Sequence, residues 1–147
     1  MNKNTIAAAV AASVTALAGL SIDDKPEDAG LSEYQGRCAH ALAHFITQIP
    51  AIENGRYAVT FGETFRSQSV AMAYAKQGIG IANSLHTKRL AVDLNLFDRG
   101  RFVESSEGHK PLADLWLQIG PHFGIKPAAG YYFNDGNHYS CQLQGVK

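Results

Sequence analysis

The feature that most constrains this chain is an aspartate inside an apolar, alternating run. From Arg89 to Phe97 every second residue is a large aliphatic, which is the period of a half-buried β-strand, and Asp93 falls on the other side of that strand. Burying a bare carboxylate costs so much free energy that the group would take up a proton instead. Asp93 must therefore be paired, hydrogen-bonded or bound to a metal, and we expect a cationic partner beside it.

Two histidines and a second aspartate are candidates for the same site. His86 lies seven residues before Asp93, after glycines at 78 and 80 that let the chain bend. His138 opens a second alternating run, and Asp135 precedes it in an Asn-Asp-Gly turn signal. A catalytic zinc normally keeps three protein ligands and leaves one position open for water. We predict a catalytic zinc site; the alternative is a polar cluster satisfied without metal.

The other histidines fit this chemistry less well. His40 and His44 are one helical turn apart, but no acidic residue lies between them and they fall off the apolar face of their helix, so we expect solvated or capping roles. His109 and His122 have no partner at a useful spacing. Surface or structural roles are expected for both.

The residues around the predicted site resemble a known family, the zinc D-alanyl-D-alanine carboxypeptidases and L-alanyl-D-glutamate endopeptidases. These LAS metallopeptidases share a metal-site architecture with hedgehog domains, and their pattern reads S-x-H-x-x-x-L-A-x-D-L-N-L-F, then a hairpin, then D-G-N-H-F. This chain matches it from Ser84 to Phe97 and from Asp135 to His138, which is followed by Tyr139 where the pattern has Phe. One stretch departs from close relatives, which often have Trp-Gly-Gly-Asp-Phe where this chain has Gly130-Tyr131-Tyr132-Phe133.

The resemblance implies a role for each matching residue. One zinc ion per chain would be bound by His86, Asp93 and His138, and Asp135 would be the general base and acid. Arg66 would hold the substrate or its developing oxyanion, with Ser84 also in the substrate site; the alternative for Arg66 is a structural ion pair with Glu63 or another acid.

The implied function is hydrolysis of a peptide bond in the stem peptide of peptidoglycan. The resemblance favours an L-alanyl-D-glutamate endopeptidase of the phage or prophage endolysin type, and a D-alanyl-D-alanine carboxypeptidase is the alternative. A non-catalytic, zinc-binding module of hedgehog type is an alternative of another class. Asp135 argues against that module, because a structural zinc site needs no base.

The N-terminus predicts export to the periplasm. A basic start at Lys3 precedes the uncharged run from Thr5 to Leu20, and Ala16-Leu17-Ala18 fits a signal-peptide cleavage site. An uncleaved signal-arrest-release anchor with transient membrane contact is a second interpretation, and a packing helix is a third. Residues 21–30 would be a linker.

The rest of the chain predicts one metallopeptidase domain over residues 31–147, acting as a monomer. A length of 147 residues with 46% hydrophobic residues suits one core, and a net charge of zero offers no basic face for nucleic acid. We expect an α+β fold, with a small antiparallel sheet flanked by helices and the zinc site on the sheet face. Helices are predicted over Ser32–Ile49, Ser67–Gln77 and from Pro111 to Gly120, and strands over Arg56–Phe61, Arg89–Phe97, Phe102–Val103 and from His138 onward.

The two cysteines leave two possibilities open. Cys38 belongs to the apolar face of the first helix, and strand alternation turns Cys141 away from His138. They are either two buried thiols or one disulfide of an exported protein.

Overall fold

The structure, a computed structural model, describes residues 30–147. The predicted export segment and all but the last residue of the predicted linker lie outside the described residues. Within residues 30–147, no helix is both long and apolar enough to cross a bilayer.

The described residues form a small α+β fold, as predicted. Three α-helices are present in this part of the chain, together with a five-stranded antiparallel sheet of order β1-β2-β5-β4 in which β3 pairs with β2. The helices are α1 (Leu31–Gln48), α2 (Gln68–Lys76) and α3 (Lys110–Ile119), and the strands are β1 (Tyr57–Phe61), β2 (Ala91–Asp98), β3 (Arg101–Phe102), β4 (Pro127–Ala129) and β5 (His138–Cys141).

Strand β2, the alternating run of the sequence, is the centre of the sheet. Its second half pairs with β1 from Leu94 to Asp98, and its first half pairs with β5 from Ala91 to Asp93. The short β3 follows the turn at Arg99 and Gly100 and pairs with the end of β2. Strands β1, β3 and β5 therefore all pair directly with β2.

The core lies between one face of the sheet and helices α1 and α3. Leu94 and Leu96 of β2 are fully buried there. Phe45 of α1 contacts both Trp116 of α3 and Tyr139 of β5, with ring centroids 5.3 and 5.1 Å apart. The aliphatic side of β2 is thus the core side, and its polar side is left for the site.

The helix boundaries follow local signals. Helix α1 ends at Gln48, and the chain continues as 3₁₀ turns from Ile49 to Asn54. Pro50 fits the start of these turns, because its fixed φ suits a helical turn and an N–H at that position would have no partner within the turn. Ser67 caps α2 by accepting a hydrogen bond from the Val70 N–H at 3.3 Å. The helix and strand predictions agree with these bounds to within one or two residues, except that β4 was not predicted.

The expectation for His44 was wrong. His44 is only 9% exposed, with its ring 5.6 Å from that of Phe123, whereas His40 is exposed as expected. The buried stripe of α1 runs through Ala41 and Phe45, and His44, one turn after Ala41, falls on its margin. Burial lowers the pKa of His44, with a smaller contribution from the nearby charge of His122.

The cysteines form a disulfide. Cys38 of α1 and Cys141 of β5 are bridged, with their Cα atoms 6.1 Å apart and a sequence separation of 103. Of the two possibilities left open by the sequence, the structure has the bridge. It ties the first described helix to the strand that holds His138.

Candidate metal centre

Asp93 and His138 face each other across β2 and β5. Both backbone groups of Asp93 point to the other edge of β2, where its N–H donates to Glu63 and its carbonyl accepts from Gly62, at 2.9 and 2.8 Å. Asp93 and His138 are therefore a non-hydrogen-bonded pair, the kind in which opposing side chains come closest. Tyr139 and Cys141, the next residues of β5 to point the other way, anchor the strand in the core.

His86 reaches the same face from a short 3₁₀ helix, Leu85–Lys88. The Ser84 hydroxyl caps this helix by accepting from the His86 N–H at 3.4 Å, and the Leu90 N–H donates to the Leu85 carbonyl at 3.0 Å. Arg89 ends the helix in a left-handed conformation, with φ of 53°. The turn is thus fixed at both ends, and it holds His86 next to the start of β2.

Three ligand atoms converge at this point. His86 Nε2 and His138 Nδ1 are 3.2 Å apart, and Asp93 Oδ1 lies 3.3 Å from the first and 3.2 Å from the second. Zinc bonds of about 2.0–2.1 Å in a tetrahedral site put ligand atoms about 3.3–3.4 Å apart. The observed triangle has the size of one face of such a tetrahedron, so the donor set and its spacing both fit zinc.

Hydrogen bonds alone satisfy this triangle poorly. A carboxylate oxygen only accepts, and of two ring nitrogens in contact one must be a donor and the other an acceptor. One N–H would then have to serve two acceptors, whereas a cation at the centre serves all three atoms. Burial by itself would raise the pKa of Asp93, but the hydrogen bonds and charges of His138 and His86 together outweigh burial and hold that pKa below its usual range.

The triangle is buried on its protein side and opens into a cleft. His86 and His138 are 2% and 7% exposed, and Asp93 is half-buried. The cleft has a volume of about 790 Å³, and Arg66, Ser84 and Asp135 line it together with the three converging residues. All six site residues of the sequence analysis therefore border one cavity.

Asp135 lies in the turn that leads into β5. Its N–H donates to the Gly130 carbonyl and its carbonyl accepts from the His138 N–H, both at 2.9 Å, while its carboxylate is exposed in the cleft. A Cβ at Gly130 would lie 1.7 Å from the Asp135 carbonyl oxygen, so only glycine permits this approach. On the other side, the Gly136 N–H donates to the Ser106 hydroxyl at 3.0 Å. The backbone of the turn is thus held from two sides.

Arg66 forms an ion pair with Glu63 and also lines the cleft. Its Nε atom donates to the two carboxylate oxygens of Glu63 at 3.0 and 3.1 Å, and Nη2 also donates to Glu63. The guanidinium lies 5.0 Å from the ring centroid of Tyr74. The ion pair with Glu63 raises the pKa of Arg66. Because Nη1 has no hydrogen-bond partner among the described residues, the same side chain still presents a donor to the cleft.

The apolar rim of the cleft was not among the predicted site residues. Ile79 and Ile81 form part of one wall, and Tyr132 and Phe133 form part of another, with side chains 44–66% exposed. Phe133 also contacts the His138 ring, at a centroid distance of 5.9 Å. Exposed apolar residues in short turns and single-turn helices have no periodicity, and the only signal for them was their concentration next to the two motifs.

The remaining histidines lie away from the triangle. His109 is 2% exposed, with Nδ1 3.1 Å from the Tyr139 hydroxyl, so of the two roles expected it has the structural one, and His122 is exposed. Within residues 30–147, the group His86, Asp93 and His138 is the one cluster of three or more such side chains able to hold a metal ion.

Comparison with solved structures identifies a similar fold. The L-Ala D-Glu endopeptidase ChiX of Serratia marcescens superposes with a TM-score of 0.55 at 17% sequence identity, over 83% of this chain and 96% of ChiX. At this identity the likeness shows the fold, so the fold-level part of the resemblance is confirmed. No protein-family model matches the sequence, and no curated protein matches it.

Proposed function

We propose that this protein is a zinc-dependent peptidoglycan hydrolase that cleaves the L-alanyl-D-glutamate bond of the stem peptide. The observation that supports this most is the convergence of two imidazoles and a carboxylate at tetrahedral spacing in an open cleft that also contains a free carboxylate. The fold, shared with an L-Ala D-Glu endopeptidase, supports the choice of bond.

The proposed metal ligands are His86, Asp93 and His138. Zinc bound there would acidify water and polarise a carbonyl, because it is a Lewis acid with an open coordination position in a three-ligand site. One carboxylate among the ligands leaves the ion a net positive charge. The protein contributes a preformed triangle, since β2, β5 and the capped turn at Ser84 fix the three side chains independently of one another.

Asp135 is the proposed proton carrier. Its carboxylate would accept a proton from the attacking water and deliver it to the leaving amine nitrogen, so the same group serves first as base and then as acid. Its exposure within the cleft leaves both oxygens accessible to substrate. The backbone anchors at Gly130 and Ser106 limit its position during both transfers.

Arg66 is the proposed substrate clamp. Glu63 holds the guanidinium through Nε and Nη2, which leaves Nη1 to donate to a carboxylate or carbonyl of the bound peptide. A guanidinium already fixed by an ion pair loses little side-chain entropy when substrate binds. Ser84 contributes mainly through the turn that carries His86, and because it lines the cleft it would also lie beside a bound peptide.

The biological setting is part of the same proposal. An exported, monomeric hydrolase of one small domain suits an endolysin of a phage or prophage, with Thr5–Leu20 taking it to the periplasm by a cleaved or a released signal. Its partner there would be the stem peptide.

Digestion of purified peptidoglycan by the full-length protein, followed by mass spectrometry of the new termini, tests the assignment. We expect a new D-glutamyl amino terminus and no loss of terminal D-alanine. Release of free D-alanine would instead assign the carboxypeptidase activity. Intact peptidoglycan, with zinc bound at one ion per chain, would assign a non-catalytic zinc module.

A further inference from the structure

Two neighbouring tyrosines at the rim of the cleft have no role in the proposed reaction. Tyr131 and Tyr132 belong to the short 3₁₀ helix Gly130–Phe133, and their rings meet edge to face with centroids 4.9 Å apart. Tyr132 is 58% exposed. Large exposed aromatic side chains next to a cleft are typical of binding surfaces, because an aromatic ring gives contact area at a low cost in side-chain entropy.

Hydrogen bonds hold both rings in place. The Tyr132 hydroxyl donates to Asp114 at 3.1 Å, and Asp114 is in turn paired with Lys110 at 2.8 Å. The Tyr131 hydroxyl donates to Glu107 at 3.5 Å, and Lys110 Nζ lies 5.5 Å from the Tyr131 ring centroid. The ring positions are set before any ligand arrives, so binding does not have to order them.

The tyrosine pair lies where two adjoining surfaces of different polarity meet. Tyr132 lines the cleft that contains the candidate metal centre. Tyr131 lines a shallow depression of about 710 Å³, whose other lining residues are all polar: Glu104, Ser105, Ser106, Glu107 and Asn134. A ligand that left the cleft over the tyrosines would pass from an aromatic surface to a row of carboxylate, hydroxyl and amide groups.

This combination matches the chemistry of a neutral sugar. A pyranose ring has an apolar C–H face that packs on an aromatic ring, and it has a rim of hydroxyl and acetamido groups that need donors and acceptors. The carboxylates of Glu104 and Glu107 disfavour anionic polymers and anionic lipid surfaces. The continuity of the two surfaces favours a sugar that is covalently joined to the peptide in the cleft.

We propose that Tyr131 and Tyr132, with the adjoining polar depression, form a saccharide subsite that binds the glycan strand beside the stem peptide. The proposal rests on the proposed function and extends it, because it makes sugar-linked peptide the preferred substrate. Tyr132 supplies the stacking face, and Asp114 positions that face through the tyrosine hydroxyl.

The first test compares substrates. We expect the full-length enzyme to have a higher kcat/KM for disaccharide-linked stem peptide than for the same peptide without sugar. Tyr132→Ala should reduce this preference, the quotient of the two kcat/KM values, about 10-fold. Tyr132→Phe, which keeps the ring, should retain most of the preference. Phe61→Ala is the matched control, since Phe61 is an exposed aromatic that pairs with Leu94 on the opposite face of the sheet from the ligands.

A second test needs no hydrolysis. Insoluble chitin, an uncharged polymer of N-acetylglucosamine, should co-sediment with the full-length protein and with Phe61→Ala, and Tyr132→Ala should weaken this binding about 10-fold. Binding without hydrolysis would support the subsite while refuting the proposed activity. Hydrolysis with no sugar preference and no binding to chitin would overturn the subsite while leaving the activity intact. Binding to anionic lipid vesicles in place of glycan would also overturn it.

Discussion

Asp93 and His138 are held at 3.2 Å by two backbone ladders that meet on one strand. β5 brings His138 to one edge of β2, while Gly62 and Glu63 occupy the backbone groups of Asp93 on the other edge. Neither side chain needs the other in order to be placed. Because the backbone sets both positions, replacing one side chain should leave the other in place. Variants of the proposed ligands should therefore remain folded and report on metal binding.

The first prediction concerns the ligands. Replacement of His86 or His138 by alanine should lower zinc affinity by more than the roughly 10- to 100-fold expected when only a hydrogen-bond partner of a ligand is lost, and hydrolysis should fall with it. Zinc per chain after dialysis, measured by mass spectrometry, checks this. His40→Ala and His122→Ala remove exposed histidines and should change neither quantity. Full zinc occupancy in both ligand variants would refute the assigned site.

The second prediction separates Asp135 from the ligands. Asp135→Asn should keep its zinc and lose roughly 100- to 10,000-fold in kcat, because an amide cannot take up the proton. Glu33→Gln, which alters an exposed acid on α1, is the control. If Asp135→Asn lost zinc in parallel with activity, Asp135 would be a ligand and the proposed division of roles would be wrong.

The third prediction uses two glycines. Gly130→Ala would push a methyl group into the Asp135 carbonyl oxygen, at 1.7 Å, and should displace the turn and reduce kcat strongly. Gly36→Ala meets nothing within 4 Å in the middle of α1 and should raise the free energy of unfolding by about 1 kcal/mol with unchanged kcat. Rates and urea unfolding of both variants, measured side by side, check this. Wild-type activity in Gly130→Ala would show that the close approach is unimportant.

The fourth prediction concerns the disulfide. Because Cys38 and Cys141 close a loop with a sequence separation of 103 residues, the double alanine variant should lose about 2–5 kcal/mol in free energy of unfolding. Thermal unfolding of this variant and of the wild type, with and without reductant, measures the effect. Reductant should lower the Tm of the wild type and leave that of the variant unchanged. Equal Tm values throughout would mean that the bridge does not stabilise the fold.

The fifth prediction is a dependence of stability on pH. Burial lowers the pKa of His109 below its usual value of 6.5, so between the two pKa values the unfolded chain binds a proton that the folded chain does not. This contribution makes the free energy of unfolding fall as the pH drops below about 6.5. Urea unfolding at several pH values should show a weaker fall in His109→Gln than in the wild type, and His40→Gln should behave as the wild type. A slope unchanged by His109→Gln would exclude His109 as the cause.

Much of the fold and of the site could be predicted because local patterns specified it. The alternation of β2 fixes which face Asp93 occupies, and the Ser84 cap with the Asp-Gly turn at 135–136 fixes the two connections that present His86 and His138. In each case the determining interactions lie within a few residues in sequence.

The features that could not be predicted depend on distant contacts. The disulfide requires α1 to cross the sheet beside β5, and no local pattern sets the distance between two residues 103 apart. The burial of His44 depends on where Phe123 lies, and β4 is a strand only because its Pro127 to Ala129 segment pairs with β5. Tertiary packing overrides local preference at such positions.

The distribution of the ligands along the chain has a consequence for biosynthesis. His86 and Asp93 are separated from His138 by 52 and 45 residues, and the strand that unites them is the last of the described strands to leave the ribosome. A nascent chain that stops before the turn at Asp135 has two of the three proposed ligands and lacks both Asp135 and His138. Translation must therefore pass β5 before the candidate metal centre can be complete.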